Sequence, residues 1–152
     1  MKAELKWSQK MLFSIDAAGH TVQADARPPI GEGKAMSPKE LLLSALASCT
    51  AMDVIALLGK HKQKPEQFSI SAEGTLSEGG HPKVLTGVKL VFEVTGTVEP
   101  QIVIDSVRAS QSLFCGVSAM LSRAFPITYD ILVNGNQVGS GEANFERSES
   151  AT

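Results

Sequence analysis

From Leu41 to Leu58 the chain is apolar almost without interruption, and that run restricts the fold more than any other feature. It approaches the length that crosses a bilayer. It also contains Asp53, Ser44, Ser48 and Thr50, with alanine filling much of the rest. A carboxylate at mid-membrane depth is costly, so a helix inside a globular domain is the expected reading. Just before the run stands Ser37-Pro38-Lys39-Glu40. Ser37 suits an N-cap, Pro38 the first helical position, and Glu40 the reciprocal partner of a capping box. The helix is expected to continue to about Gly59. Because it is apolar nearly all round, it is expected to be central and buried.

The rest of the chain arranges itself around that helix. Residues 2–7, 11–16 and 20–25 have the character of three short strands in a meander, with Ala18-Gly19 as a turn. Two prolines and two glycines make 26–36 a loop. Residues 67–77 and 84–95 alternate as half-buried strands. Glu99-Pro100 opens a helical stretch, broken near Leu113–Cys115, with a second short helix from about Cys115 to Arg123. Residues 127–133 and 137–144 form a hairpin around Asn134-Gly135-Asn136. The expected class is α+β, with antiparallel sheets packed on a long buried helix, in one domain over residues 1–145 and a polar tail over 146–152.

Of the 152 residues 43% are apolar, and the net charge is −2. Neither a nucleic-acid footprint nor a polybasic membrane surface is expected from that balance. No apolar h-region follows Met1–Trp7, so a cytoplasmic protein is expected. The two cysteines, Cys49 and Cys115, form no CxxC, and no His/Cys spacing suggests zinc. His20, His61 and His81 have turn-like or helix-end surroundings and are expected at the surface.

Cys49 falls 12 positions into the helix, about 18 Å along its axis. The helix dipole is weak there. Its neighbours at three and four residues are Ala45, Leu46, Met52 and Asp53. Apolar surroundings and a carboxylate both raise a thiol pKa. A reactive Cys49 therefore needs a cation, and Arg27, Arg108 and Arg123 are the candidates; without one, Cys49 is an inert core residue. Cys115 stands where a short helix is expected to begin. The first-turn amides there favour a thiolate, and a core cysteine is again the alternative.

The run Ser37–Val54 and the run Cys115-Gly116-Val117-Ser118-Ala119-Met120-Leu121 together resemble the two motifs of the OsmC/Ohr superfamily, over essentially the whole chain. Cys-Thr-Ala-Met-Asp-Val and Val-Ser-Ala-Met-Leu are most similar to its YhfA-like subgroup. The resemblance implies an intertwined homodimer. It also implies a peroxidase in which Cys49 reduces an organic hydroperoxide and becomes a sulfenic acid. Cys115 then closes a disulfide, and an external dithiol of lipoyl type restores the pair. No metal or organic cofactor is implied. Arg27 is the best match to the family's activating arginine, and Glu40 stands one place from the position of its glutamate partner. The best-known members place that glutamate ten positions before the cysteine, where this chain has Lys39. That departure keeps a second reading open, a non-catalytic protein that binds or senses an electrophile on the same fold.

Overall fold

The computed structural model describes residues 1–145, so the polar tail expected over 146–152 lies outside the described residues. Two compact units divide the chain, Met1–Ser44 and Ala45 onward.

In the first unit, β1 (Glu4–Gln9), β2 (Leu12–Ala17) and β3 (His20–Ala24) form the expected antiparallel meander. Ala18 and Gly19 both adopt positive φ, 50° and 81°, between the paired residues Ala17 and His20. That is the backbone of a two-residue hairpin turn matched to strand twist. The loop that follows is organised by Asp25, which the sequence does not single out. Its buried carboxylate accepts backbone N–H groups from Ala26 (2.8 Å), Glu32 (3.3 Å) and Lys34 (3.0 Å). The loop delivers the chain to α1 (Pro38–Lys60), where the capping box forms as expected. Ser37 N–H donates to Glu40 Oε2 at 2.8 Å, and Glu40 N–H donates to Ser37 Oγ at 3.4 Å.

The second unit holds a four-stranded sheet in the order β4 (Gln67–Leu76), β5 (Leu85–Thr95), β6 (Ile127–Val133), β7 (Asn136–Glu142). The α+β class holds, but the sheet is mixed rather than wholly antiparallel, because β5 and β6 run parallel. Between them lie α2 (Pro100–Ala109), a π-helical turn (Ser110–Phe114) and α3 (Gly116–Leu121). A helical crossover of that length carries the chain back to the end of the sheet where β5 begins, so the next strand runs in the same direction. The β6–β7 hairpin turns on Asn134 and Gly135 alone, both at positive φ, and Asn136 already pairs with Val133.

The core lies where alternating residues of the two parallel strands meet the helices. Val88, Leu90, Phe92 and Val94 of β5 are buried, as are Ile127, Tyr129, Ile131 and Val133 of β6 and Val103 and Val107 of α2. Phe92 and Tyr129 meet edge to face with ring centroids 6.1 Å apart.

Only one stripe of α1 is buried: Leu46, Thr50, Val54 and Leu58, at four-residue spacing. Met52 is 71% exposed and Ile55 44%. The all-round burial expected of this helix is therefore not found in the single chain. A helix packed along one side covers only the stripe facing that side, however apolar the others are. Length and composition alone would let α1 cross a bilayer. Asp53, the residue that argues against a span, has a hydrogen-bond partner within the fold.

Candidate active site: two thiols and a carboxylate

The second unit brings Cys49 and Cys115 together. Their sulfurs and a carboxylate oxygen of Asp53 all lie within 4.8 Å of one another. Both cysteines are free thiols; Cys49 is half-buried and Cys115 is fully buried.

Two local structures produce this meeting. On α1, Cys49 and Asp53 are four residues apart and so share a face, beside Thr50 in the buried stripe. On the other side the helical ladder of α2 loosens. Cys115 N–H donates to the Ser110 carbonyl at 3.0 Å, a bond five residues back, and Cys115 itself is extended (φ −69°, ψ 100°). This is the break the sequence locates near Leu113–Cys115. A π turn adds a residue to the helical turn and redirects the side chains it carries, a device frequent at functional sites. Here Ser110 and Gln111 end up buried.

These inward residues form a hydrogen-bonded chain with α1. Gln111 Nε2 donates to Thr50 Oγ1 at 2.7 Å, and the Thr50 and Ser110 hydroxyls are 2.7 Å apart. Ser110 Oγ donates to Asp53 Oδ2 at 2.9 Å. A hydroxyl has a single proton to give. Ser110 directs its proton to the carboxylate, so Thr50 donates to Ser110, and the chain runs one way from the amide to Asp53. Thr50, Ser110 and Gln111 are not singled out by the sequence. The available signals were a threonine in register with Leu46, Val54 and Leu58, and a Ser-Gln pair just before the helix break.

Cys115 is the N-cap of α3 and its sulfur accepts Ser118 N–H at 3.3 Å. The expected preference for a thiolate does not result. Burial pushes the Cys115 thiol up, the bond from the Ser118 backbone amide offsets this in part, and the neighbouring Cys49 raises it further. Loss of hydration at a fully buried sulfur outweighs the amides of a six-residue helix.

In the first unit the structure brings Arg27 and Glu40 together as an ion pair. The Ser37 backbone amide and the Arg27 guanidinium pull the Glu40 carboxyl down to about 2. A depressed folded pKa means that ionised Glu40 contributes stability above its ordinary value of 4.5, and the contribution disappears as pH falls toward 2. The stability difference between wild type and Glu40→Gln should therefore be largest above pH 4.5 and shrink on acidification, as read by urea unfolding across the acid limb. A difference independent of pH would contradict this. Of the other candidate cations, Arg108 acts on the buried Tyr129 hydroxyl and Arg123 is exposed. His20, His61 and His81 are exposed, as expected.

The cluster offers three donor atoms where a structural zinc site takes four. Two would have to be thiolates, and burial disfavours that form at Cys115. The described residues thus fit two-thiol chemistry better than a closed metal centre.

A family model of OsmC-like protein matches residues 31–130. Protein YhfA of Escherichia coli (strain K12) is 31% identical over 131 residues, covering 85% of this chain and 95% of that protein. A crystal structure of a hypothetical protein from Aquifex aeolicus VF5 superposes with a TM-score of 0.77 at 25% identity, over 96% of this chain and 97% of that one. An organic hydroperoxide resistance protein from Legionella pneumophila shares the fold at a TM-score of 0.60 and 20% identity, over 87% of this chain and 93% of its own. With the family match across both motifs and a relative of this identity over most of its length, the chain belongs to the OsmC-like proteins.

Proposed function

We propose that this protein is a thiol-dependent peroxidase acting on organic hydroperoxides, with Cys49 and Cys115 as its redox pair. The supporting observation is the meeting of two free thiols, one half-buried and one buried, within 4.8 Å. Cys49, the more accessible, attacks the distal peroxide oxygen; the O–O bond breaks, an alcohol leaves, and Cys49 becomes a sulfenic acid. Cys115 displaces the sulfenic oxygen as water and forms the disulfide. An external dithiol, of lipoyl type, reduces it by two successive exchanges and is itself oxidised. Exposed apolar side chains favour an organic peroxide over hydrogen peroxide: Met52 follows Cys49 by three residues, and Leu113 and Phe114 precede Cys115. The name of the Legionella relative points the same way. Regeneration by a dithiol suits a reducing compartment such as the cytoplasm. The exposed apolar side of α1 suits a homodimer.

The activating pair enters this reading as Arg27 and Glu40, joined to each other on the surface of the first unit. A second reading, single modification by an electrophile without cycling, is favoured by the burial that pushes the Cys115 thiol up. Steady-state consumption of cumene hydroperoxide with a dihydrolipoyl reductant separates the two. Sustained turnover supports the peroxidase. One equivalent consumed, with no further loss of peroxide for any dithiol, overturns it.

A further inference from the structure

Among the described residues Asp53 is the carboxylate that shares the thiol cluster, and the two-thiol scheme gives it no task. Beside the thiols, the sequence marks it as a hindrance to a Cys49 thiolate. Its placement shows more construction than that. A chain of three side chains, Gln111, Thr50 and Ser110, ends on Oδ2. Among the described residues no protein donor is bonded to Oδ1. Oδ2 is thus held by Ser110, and one oxygen of the same carboxylate lies within 4.8 Å of both sulfurs. Buried networks of this kind fix an orientation because breaking any one member leaves a polar group unpaired.

The step that lacks a base is the closing of the disulfide. Cys115 must lose its proton to attack, yet it is fully buried and its thiol form is favoured. The sulfenic oxygen on Cys49 must gain a proton to leave as water. Among the His, Cys, Asp and Glu side chains of the described residues, those clustered with Cys115 are Cys49 and Asp53, both on α1.

We propose that Asp53 is the proton carrier of disulfide formation, held in position by Ser110, Thr50 and Gln111. The proposal rests on the redox reading of the cysteine pair. The Cys115 S–H bond breaks and its proton passes to the Asp53 carboxylate. The Cys115 sulfur bonds to the Cys49 sulfur, the S–O bond of the sulfenic acid breaks, and the departing oxygen takes the proton from Asp53 as water. Cys115 is oxidised, the sulfenic sulfur of Cys49 is reduced, and Asp53 ends as it began. The oxidising equivalents come from the hydroperoxide of the preceding step.

Asp53→Asn tests this, because the amide oxygen still accepts from Ser110 while the base is lost. Cys49 is first labelled with Ellman's reagent, and release of the second thionitrobenzoate reports attack by Cys115 on the mixed disulfide. The variant should release it about 10²-fold more slowly or worse at neutral pH, in the range general acid–base catalysis supplies. Its rate should climb roughly tenfold per pH unit as Cys115 ionises unaided, while the wild-type profile stays shallower. Asp53→Glu should recover part of the rate. Ser110→Ala, which keeps the carboxylate and removes its donor, should show a smaller slowing with the wild-type profile. Release by Asp53→Asn at the wild-type rate, or a slow release with an unchanged pH profile, would overturn the proposal. This exchange needs no peroxide. If wild-type Cys49 ignores hydroperoxides, the functional reading falls, and the thionitrobenzoate kinetics still decide the role of Asp53.

Discussion

Cys49→Ser is expected to reduce hydroperoxide consumption to the rate of buffer and dithiol alone, with no part of the cycle left. The hydroxyl that replaces the thiol cannot be oxidised to a sulfenic acid, so no later step has a substrate. Cys115→Ser should behave differently. Cys49 remains, so the variant should consume a single equivalent of cumene hydroperoxide and stop as a sulfenic acid, which a dimedone-type nucleophile traps. That contrast separates a two-step pair from two interchangeable thiols. Equal consumption of peroxide by the two variants would contradict the assignment. So would full activity in Cys49→Ser.

Phe92→Ala should cause the largest loss of stability of any single truncation in the sheet core. Phe92 is fully buried on β5, between Ile70 of β4 and Ile131 of β6 in the strand register, and its ring meets Tyr129 edge to face. Truncating a buried phenylalanine costs about 3–5 kcal/mol, because transfer energy is lost and a cavity remains. For a chain of this size that is a fall in melting temperature of about 6–20 °C. Phe92→Leu, which fills more of the space, should lose less. Thermal melting followed by circular dichroism checks both, and a fall of only a degree or two for Phe92→Ala would show that the sheet repacks around the cavity.

What the sequence reveals is mostly what neighbouring residues decide among themselves. The capping box of Ser37 and Glu40, the Ala18-Gly19 turn and the break before Cys115 are each set by a few adjacent residues, and each forms. The hairpin forms too, although Asn136 joins the strand rather than the turn. The parallel pairing of β5 and β6 is different. It depends on how α2 and α3 carry the chain back, which strand alternation does not record. The partial burial of α1 has the same origin, since apolar composition says what a helix tolerates and not which of its sides is covered.

The candidate site divides the same way. Motif resemblance singles out Cys49 and Cys115, and the structure brings their sulfurs together. Arg27 and Glu40 meet, and Glu40 also closes the capping box. The polar chain from Gln111 to Asp53 was not legible, because its links join residues 57 to 61 positions apart through a π turn whose register no local pattern announces. Asp53 was visible, but its surroundings were not. Read along α1 alone it is a negative charge beside a thiol. With Ser110 bonded to it, it is a positioned base.

The redox pairing of Cys49 with Cys115 is tested most directly by treating the reduced protein with one equivalent of cumene hydroperoxide, then counting thiols and mapping peptides by mass spectrometry. The expected result is loss of both thiols and two hydrogens, with the Cys49 peptide linked to the Cys115 peptide of the same chain. A lasting gain of oxygen on Cys49 with Cys115 still free, or two thiols left untouched, would contradict it.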